Sequence, residues 1–323
     1  MNTCRTRLKL ACLVVLAVSL SVSPGYSEEL TGRELLSRSK RVLFLGDSIT
    51  AAGQYIASFD AWLVSELRDK APALIDCGLS SETVSGLSED GHAGGQFPRP
   101  VLSERLNRVL DIVKPDLVIA CYGINCGIYL PFDKTRLAEY QAGMMSLKST
   151  VEKAGAKFVV MTPPFYDDQR SPKKFSYNEV LDQYSDWLIG QRQHGWHVVD
   201  LHGPMTKAVR ERRAADPQFT MQPDGVHPND AGHWFIAQQL IRWAGDEKSA
   251  VSESPKSMVT ERRLPESLLP LVQQRMSVLR DAYVSAAGHK RPGVAKGLPV
   301  AEAESKAAEL SAKIAAIING AAK

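Results

Sequence analysis

Net charge of either sign is nearly absent from this chain. Its 39 Lys+Arg exceed its 36 Asp+Glu by three, and the excess disappears once the N-terminal segment is set aside. Arg5, Arg7 and Lys9 precede the apolar stretch Leu10–Val22, and Gly25-Tyr26-Ser27 follows with small residues. That is the pattern of a cleavable export signal over residues 1–27, with a retained anchor as the alternative. The balanced remainder gives no ground for a nucleic-acid or anionic-membrane partner. A long hydrophobic run is also missing. The leader's apolar core is short for a membrane span, so no stable span is expected once it is removed. Cysteine is scarce: beyond the leader only Cys77, Cys121 and Cys126 remain. An odd number in an exported chain allows at most one disulfide, and the spacing fits no zinc pattern. The three read as small buried residues at strand ends, with a Cys77–Cys126 bond as the alternative. No internal repeat is visible.

What the chain does contain is alternation. Short apolar runs at Val42–Leu45, Ala73–Cys77, Leu117–Cys121, Phe158–Met161 and His197–Leu201 suit parallel strands buried on both faces. Helical patterns separate them: Ala61–Leu67 with its flanks, Leu102–Val113, roughly Lys134–Ala154, a helix from Ser176 and another at Asp230–Trp243. Ser176 and Glu179 have capping-box spacing. Val180, Leu181, Tyr184, Trp187 and Leu188 then form one stripe. Five strand–helix units predict a doubly wound parallel sheet covered on both faces. After Gly245, residues 246–263 are rich in Ser, Glu, Lys and Arg and read as a linker or poorly ordered connection. Residues 264–323 read as a helical extension, with helices near 266–286 and 299–319, too small to stand alone. The expected division is therefore leader 1–27, main domain 28–245, linker 246–263 and extension 264–323.

The first strand stops at Gly46-Asp47-Ser48, which puts a hydroxyl at the carboxyl edge of the sheet, where α/β folds bind ligands. A nucleophilic serine needs a base. Of seven histidines, His227 stands out in Asp224-Gly225-Val226-His227-Pro228. A carboxylate three residues earlier can turn onto the imidazole and stabilise its charged form. Donors for an oxyanion are offered by turns flanking the serine: the Ser48 and Gly78 backbone N–H groups and the Asn125 side-chain amide.

Taken in order, Gly46-Asp47-Ser48, Gly78 within Asp76-Cys77-Gly78-Leu79-Ser80, Gly123-Ile124-Asn125 and Asp224-x-x-His227 resemble the SGNH (GDSL-like) hydrolases over residues 41–243. Two positions depart from the family's usual pattern: Asp76 stands where Asn is common, and Cys126 where Asp often follows the asparagine. The resemblance implies a flavodoxin-like three-layer α/β/α sandwich with a five-stranded parallel sheet. It also implies a metal-independent serine esterase without cofactor, in which Asp47 supports the nucleophile turn.

Other residues fit this outline less directly. His92, in the glycine-rich Glu89–Gly95 loop, and Phe165-Tyr166, after the fourth strand, are candidate substrate contacts together with Asp47. Asp167 and Asp168 read as solvated, and His233 as a surface or packing histidine. The function expected is an exported esterase releasing small acyl groups, acetyl foremost, from a small-molecule or polysaccharide ester. A lipolytic or thioester hydrolase using the same residues is one alternative. A non-catalytic glycan-binding protein on the same fold is another.

Overall fold

The structure is a computed structural model that describes residues 30–321; the leader lies outside the described residues. Five parallel strands form the sheet: β1 (Arg41–Gly46), β2 (Ala73–Asp76), β3 (Leu117–Cys121), β4 (Lys157–Met161) and β5 (His197–Val199), in the order β2-β1-β3-β4-β5. The register pairs Leu43 with Ile75 on one side and Val118 on the other. These strands contain almost only apolar residues because both faces are covered. Each delivers its carboxyl end to one edge.

Twelve α-helices are described: α1 (Gly32–Arg38), α2 (Ser48–Ala52), α3 (Gln54–Leu67), α4 (Leu106–Val113), α5 (Lys134–Lys153), α6 (Tyr177–Gly190), α7 (His202–Ala215), α8 (Asp230–Trp243), α9 (Glu247–Ala250), α10 (Pro255–Glu261), α11 (Leu268–Ala287) and α12 (Val300–Gly320). Chain direction across the sheet reverses after β2. Right-handed crossovers therefore send α3 to one face and α4, α5 and α6 to the other, and α8 packs beside α3. The result is the three-layer α/β/α sandwich. Asp133, Ser176 and Asn229 cap α5, α6 and α8 through their side chains, each satisfying a first-turn N–H.

Residues 246–263 are ordered, unlike the poorly ordered connection that their polar composition suggests. They form α9 and α10, with Met258 and Val259 buried. Their polar groups are used as ties. Asp246 accepts from Trp62 Nε1 at 2.9 Å and Arg262 Nη1 at 3.0 Å, and the Ser252 carbonyl accepts from Trp234 Nε1 at 2.9 Å.

The extension docks on the main domain. Helix α11 packs on α3, β2 and α4, and α12 packs on α11, so the otherwise open edge of the sheet at β2 is covered. Buried Val272, Met276, Leu279 and Tyr283 form the apolar seam. An ion pair to the buried Asp60 fixes it: Arg275 Nη2 donates to both Asp60 oxygens at 2.9 and 2.7 Å. Cys77, Cys121 and Cys126 are all buried free thiols, so the Cys77–Cys126 bond does not form.

Candidate active site

Strand β1 ends at Gly46, and the chain turns at once into the single-turn helix α2. Asp47 is its N-cap: the side chain is buried and accepts the Ile49 N–H at 3.0 Å. Burial pushes its carboxyl up to about 6, against the Ile49 hydrogen bond and the charges of His227 and Arg99. Ser48 is the first residue of α2, so its N–H has no intrahelical acceptor and remains a free donor at the positive end of the helix. Gly78, in the turn after β2, lies against this helix so closely that a Cβ there would stand 2.4 Å from Ala51 N. Only glycine permits that approach.

Opposite the serine stands the turn before α8. His227 Nε2 lies 2.9 Å from Ser48 Oγ, and His227 Nδ1 lies 2.6 Å from Asp224 Oδ2. The other Asp224 oxygen accepts the backbone N–H groups of Val226 and His227 at 2.9 and 2.7 Å. Burial alone would raise the Asp224 carboxyl; bonds from the His227 ring and these N–H groups outweigh it and hold it below the ordinary value. An ionised carboxylate is an acceptor only, so the Nδ1 proton points at Asp224 and Nε2 is left to accept from the serine hydroxyl. The side chains of Asp224 and His227 are 57% and 53% exposed. The constellation therefore sits at the molecular surface. Gly225 makes the turn at φ +91°, where a Cβ would meet the Ser171 side chain at 2.5 Å.

This turn is anchored by Asp167, which sequence reasoning treated as solvated. Asp167 is fully buried; its N–H donates to the Gly225 carbonyl at 2.9 Å, and its carboxylate accepts from Arg213 and Thr220. Asp168 accepts from the Ser176 hydroxyl and the Tyr177 N–H, fixing the start of α6. The Asp167 partners come from distant parts of the chain and those of Asp168 from the start of the next helix, which composition does not reveal.

Asn125 follows β3 and is buried. Its Oδ1 accepts from Tyr129 Oη at 2.9 Å, and its Nδ2 makes a long 3.4 Å contact with the Glu82 carbonyl. One amide N–H remains to donate elsewhere. Behind it lies a buried network: Arg105 pairs with both Glu82 oxygens at 2.7 and 2.8 Å, and Tyr122 Oη donates to Glu82 Oε2 at 2.6 Å. Tyr129 was not singled out from sequence. It follows Ile128 with both residues at positive φ, +46° and +56°, a costly backbone state for side chains of this size. Its ring stacks on Tyr177 at 4.9 Å, with Arg99 5.3 Å and Lys173 5.4 Å from its centroid.

Gly78 does not offer the free N–H expected of it. That N–H donates to Asp76 Oδ1 at 2.7 Å. Three residues on, Ser81 adopts φ +69°, a strained turn next to Glu82, whose carbonyl meets Asn125. Asp76 itself is completely buried, and burial pushes its carboxyl up to about 7 despite the Gly78 hydrogen bond and the charges of Arg280 and Arg105.

The remaining candidates lie behind the site. His92 bonds Glu89 at 3.2 Å and packs edge-on to Phe97, and Glu89 holds Arg99 against Tyr129. Phe165 and Tyr166 are buried and present no open surface to a ligand; Tyr166 packs against Tyr129 and donates through Oη to the carbonyl of Ser171, the residue that borders Gly225. His233 is a buried packing residue stacked on Tyr55, and burial drives its pKa down to about 4. Among the described residues no group of three or more His, Cys, Asp or Glu could hold a metal ion, and no helix is long and apolar enough to cross a membrane.

Residues 44–235 match the model of the GDSL-like lipase/acylhydrolase family. An acetylxylan esterase of Geobacillus stearothermophilus is 24% identical over 237 residues, covering 66% of this chain and 97% of that one. An α/β hydrolase from the metagenome of Lake Arreo, Spain, is 24% identical with a TM-score of 0.50, covering 64% of this chain and 95% of that structure. A gut microbial diltiazem-metabolizing enzyme aligns at 20% identity and a TM-score of 0.49, over 64% of this chain; the chain spans about half, 47%, of that protein's length.

Proposed function

Because this chain belongs to the GDSL-like lipase/acylhydrolase family and is a carboxylic ester hydrolase, we propose that it removes small acyl groups, acetyl above all, from carbohydrate, with Ser48 as nucleophile. The observation that carries this reading is the unbroken hydrogen-bond chain from Ser48 Oγ through His227 to Asp224. Ser48 attacks the ester carbonyl while His227 Nε2 takes its proton, and Asp224 stabilises the imidazolium. The tetrahedral oxyanion is held by the Ser48 N–H and the free Asn125 amide N–H. The Gly78 N–H is committed to Asp76 and is left out of this set of donors. The intermediate collapses as His227 protonates the departing sugar oxygen. Water, deprotonated by the same histidine, then cleaves the acyl-serine to acid and free enzyme.

Two observations favour a small acyl group on a large alcohol. His227 and Asp224 are more than half exposed, so a polymer can approach from solvent. The acetylxylan esterase of G. stearothermophilus is a relative along nearly its whole length. The reading includes export, on the strength of the leader at 1–27. A chain-length series on protein recovered outside the cytoplasm, with its N-terminus just past Ser27, tests it. Acetyl esters should turn over fastest and acetylated xylan should release acetate. Preference for octanoyl over acetyl esters would favour the lipolytic alternative instead.

A further inference from the structure

The nucleophile helix is held from outside the region that matches the family. Helix α2 is a single turn, too short to persist by itself, and its last carbonyls have no intrahelical donors. The Thr50 carbonyl is taken by the Gly53 N–H at 2.8 Å. The Ala51 carbonyl is taken by Arg280 Nη1 at 3.0 Å, from helix α11 of the C-terminal extension. Arg280 is itself aimed by Asp281, whose Oδ1 accepts its Nε at 2.9 Å. Beside it, Met276 of α11 lies so close to Gly53 that a Cβ there would stand 2.2 Å from the methionine methyl. The turn bearing Ser48 is thus gripped between Gly78 of the main domain and Met276–Arg280 of the extension.

We propose that Arg280 is a positioning residue for Ser48, and that the C-terminal extension is a working part of the catalytic unit. The guanidinium places a positive charge at the carboxyl end of α2, where the helix dipole favours it. Its hydrogen bond fixes the rotation of the one turn that carries the nucleophile. Without it, α2 can rock about Gly53, and Ser48 Oγ drifts from the 2.9 Å contact with His227. This inference rests on the reading of Ser48 as nucleophile.

The test uses the full chain with Arg280→Ala and Arg280→Lys. Turnover and KM on a chromogenic acetyl ester are measured alongside the rate at which a fluorophosphonate labels Ser48, each per folded molecule. Arg280→Ala should lower kcat and the labelling rate together, by up to about 100-fold, with KM little changed. Arg280→Lys, which can still donate to the Ala51 carbonyl, should recover part of both. A merely structural role would lower the melting temperature and leave the rates of the folded fraction intact; that result overturns the proposal. If the alanine variant does not fold, Arg280→Gln serves in its place, and wild-type rates in it overturn the proposal equally. A wild-type chain that takes no label would sink the esterase reading itself. A labelled wild type with an equally fast Arg280→Ala sinks only the role of Arg280.

Discussion

Asn125 carries an amide whose two ends do opposite things, and Tyr129 determines which way it is turned. The Tyr129 hydroxyl donates to Oδ1 at 2.9 Å, and burial raises the phenol far above its ordinary range, so it stays a donor. The –NH2 end is thereby kept for an acceptor. Replacing Asn125 by Ala should lower kcat by about 100- to 1,000-fold, the usual cost of one oxyanion donor. Tyr129→Phe should cost less, on the order of 10-fold, with KM held. In the Asn125→Ala background it should cost nothing further, because the group that it orients is gone. An undiminished effect there, read from steady-state rates of the double variant, would show that Tyr129 acts by another route. Ser48, His227 and Asp224 were legible because each is marked locally, by the end of an apolar run or by a three-residue spacing. Tyr129 was not, because its role depends on two consecutive left-handed residues that no propensity favours. Gly78 misled for a related reason: a glycine there suggests a backbone donor, whereas the residue is small to let α2 approach and its N–H is spent on Asp76.

At the scale of elements, the carboxyl end of β2 stores a liability. Asp76 is sealed in with one oxygen unbonded, and its carboxyl is raised from 3.8 to about 7. The folded chain therefore keeps a proton that the unfolded chain loses near pH 4. Between those values the native state binds more protons, so this group's contribution to stability declines as pH rises from about 4 to 7. Asp76→Asn keeps the acceptor for Gly78 N–H and removes the charge. Its melting temperature should exceed that of the wild type at pH 8, by about 5 °C, and the gap should close towards pH 4. A pH-independent gap in melting scans would contradict this assignment. The main elements themselves were readable: the five strands, α5, α6 and α8 have apolar patterns set by burial on known faces. Helix α7 was not, since Lys207, Arg210, Glu211, Arg212 and Arg213 leave it no apolar stripe beyond Met205 and Val209. Helices α9 and α10 were hidden too, because they are held by polar ties to α3 and α8 that only the folded chain brings together.

Across the whole molecule, the sheet gathers Ser48, Asn125 and the Asp224–His227 turn at one edge, while the extension covers the open side of β2 and reaches back to helix α2. The alternation of elements pointed to a doubly wound parallel sheet, and the family resemblance to its flavodoxin-like arrangement. The docking of the extension was not, since Asp60 and Arg275 lie 215 residues apart and only folding makes them a pair. The proposed role of Ser48 as nucleophile is open to a single measurement: mass analysis of the intact, folded protein after reaction with a fluorophosphonate, followed by mapping of the modified peptide. One adduct per chain on Ser48, lost in Ser48→Ala and strongly slowed in His227→Ala, is the predicted result. A folded chain that takes no adduct, or takes it at another residue with Ser48 untouched, would contradict the account.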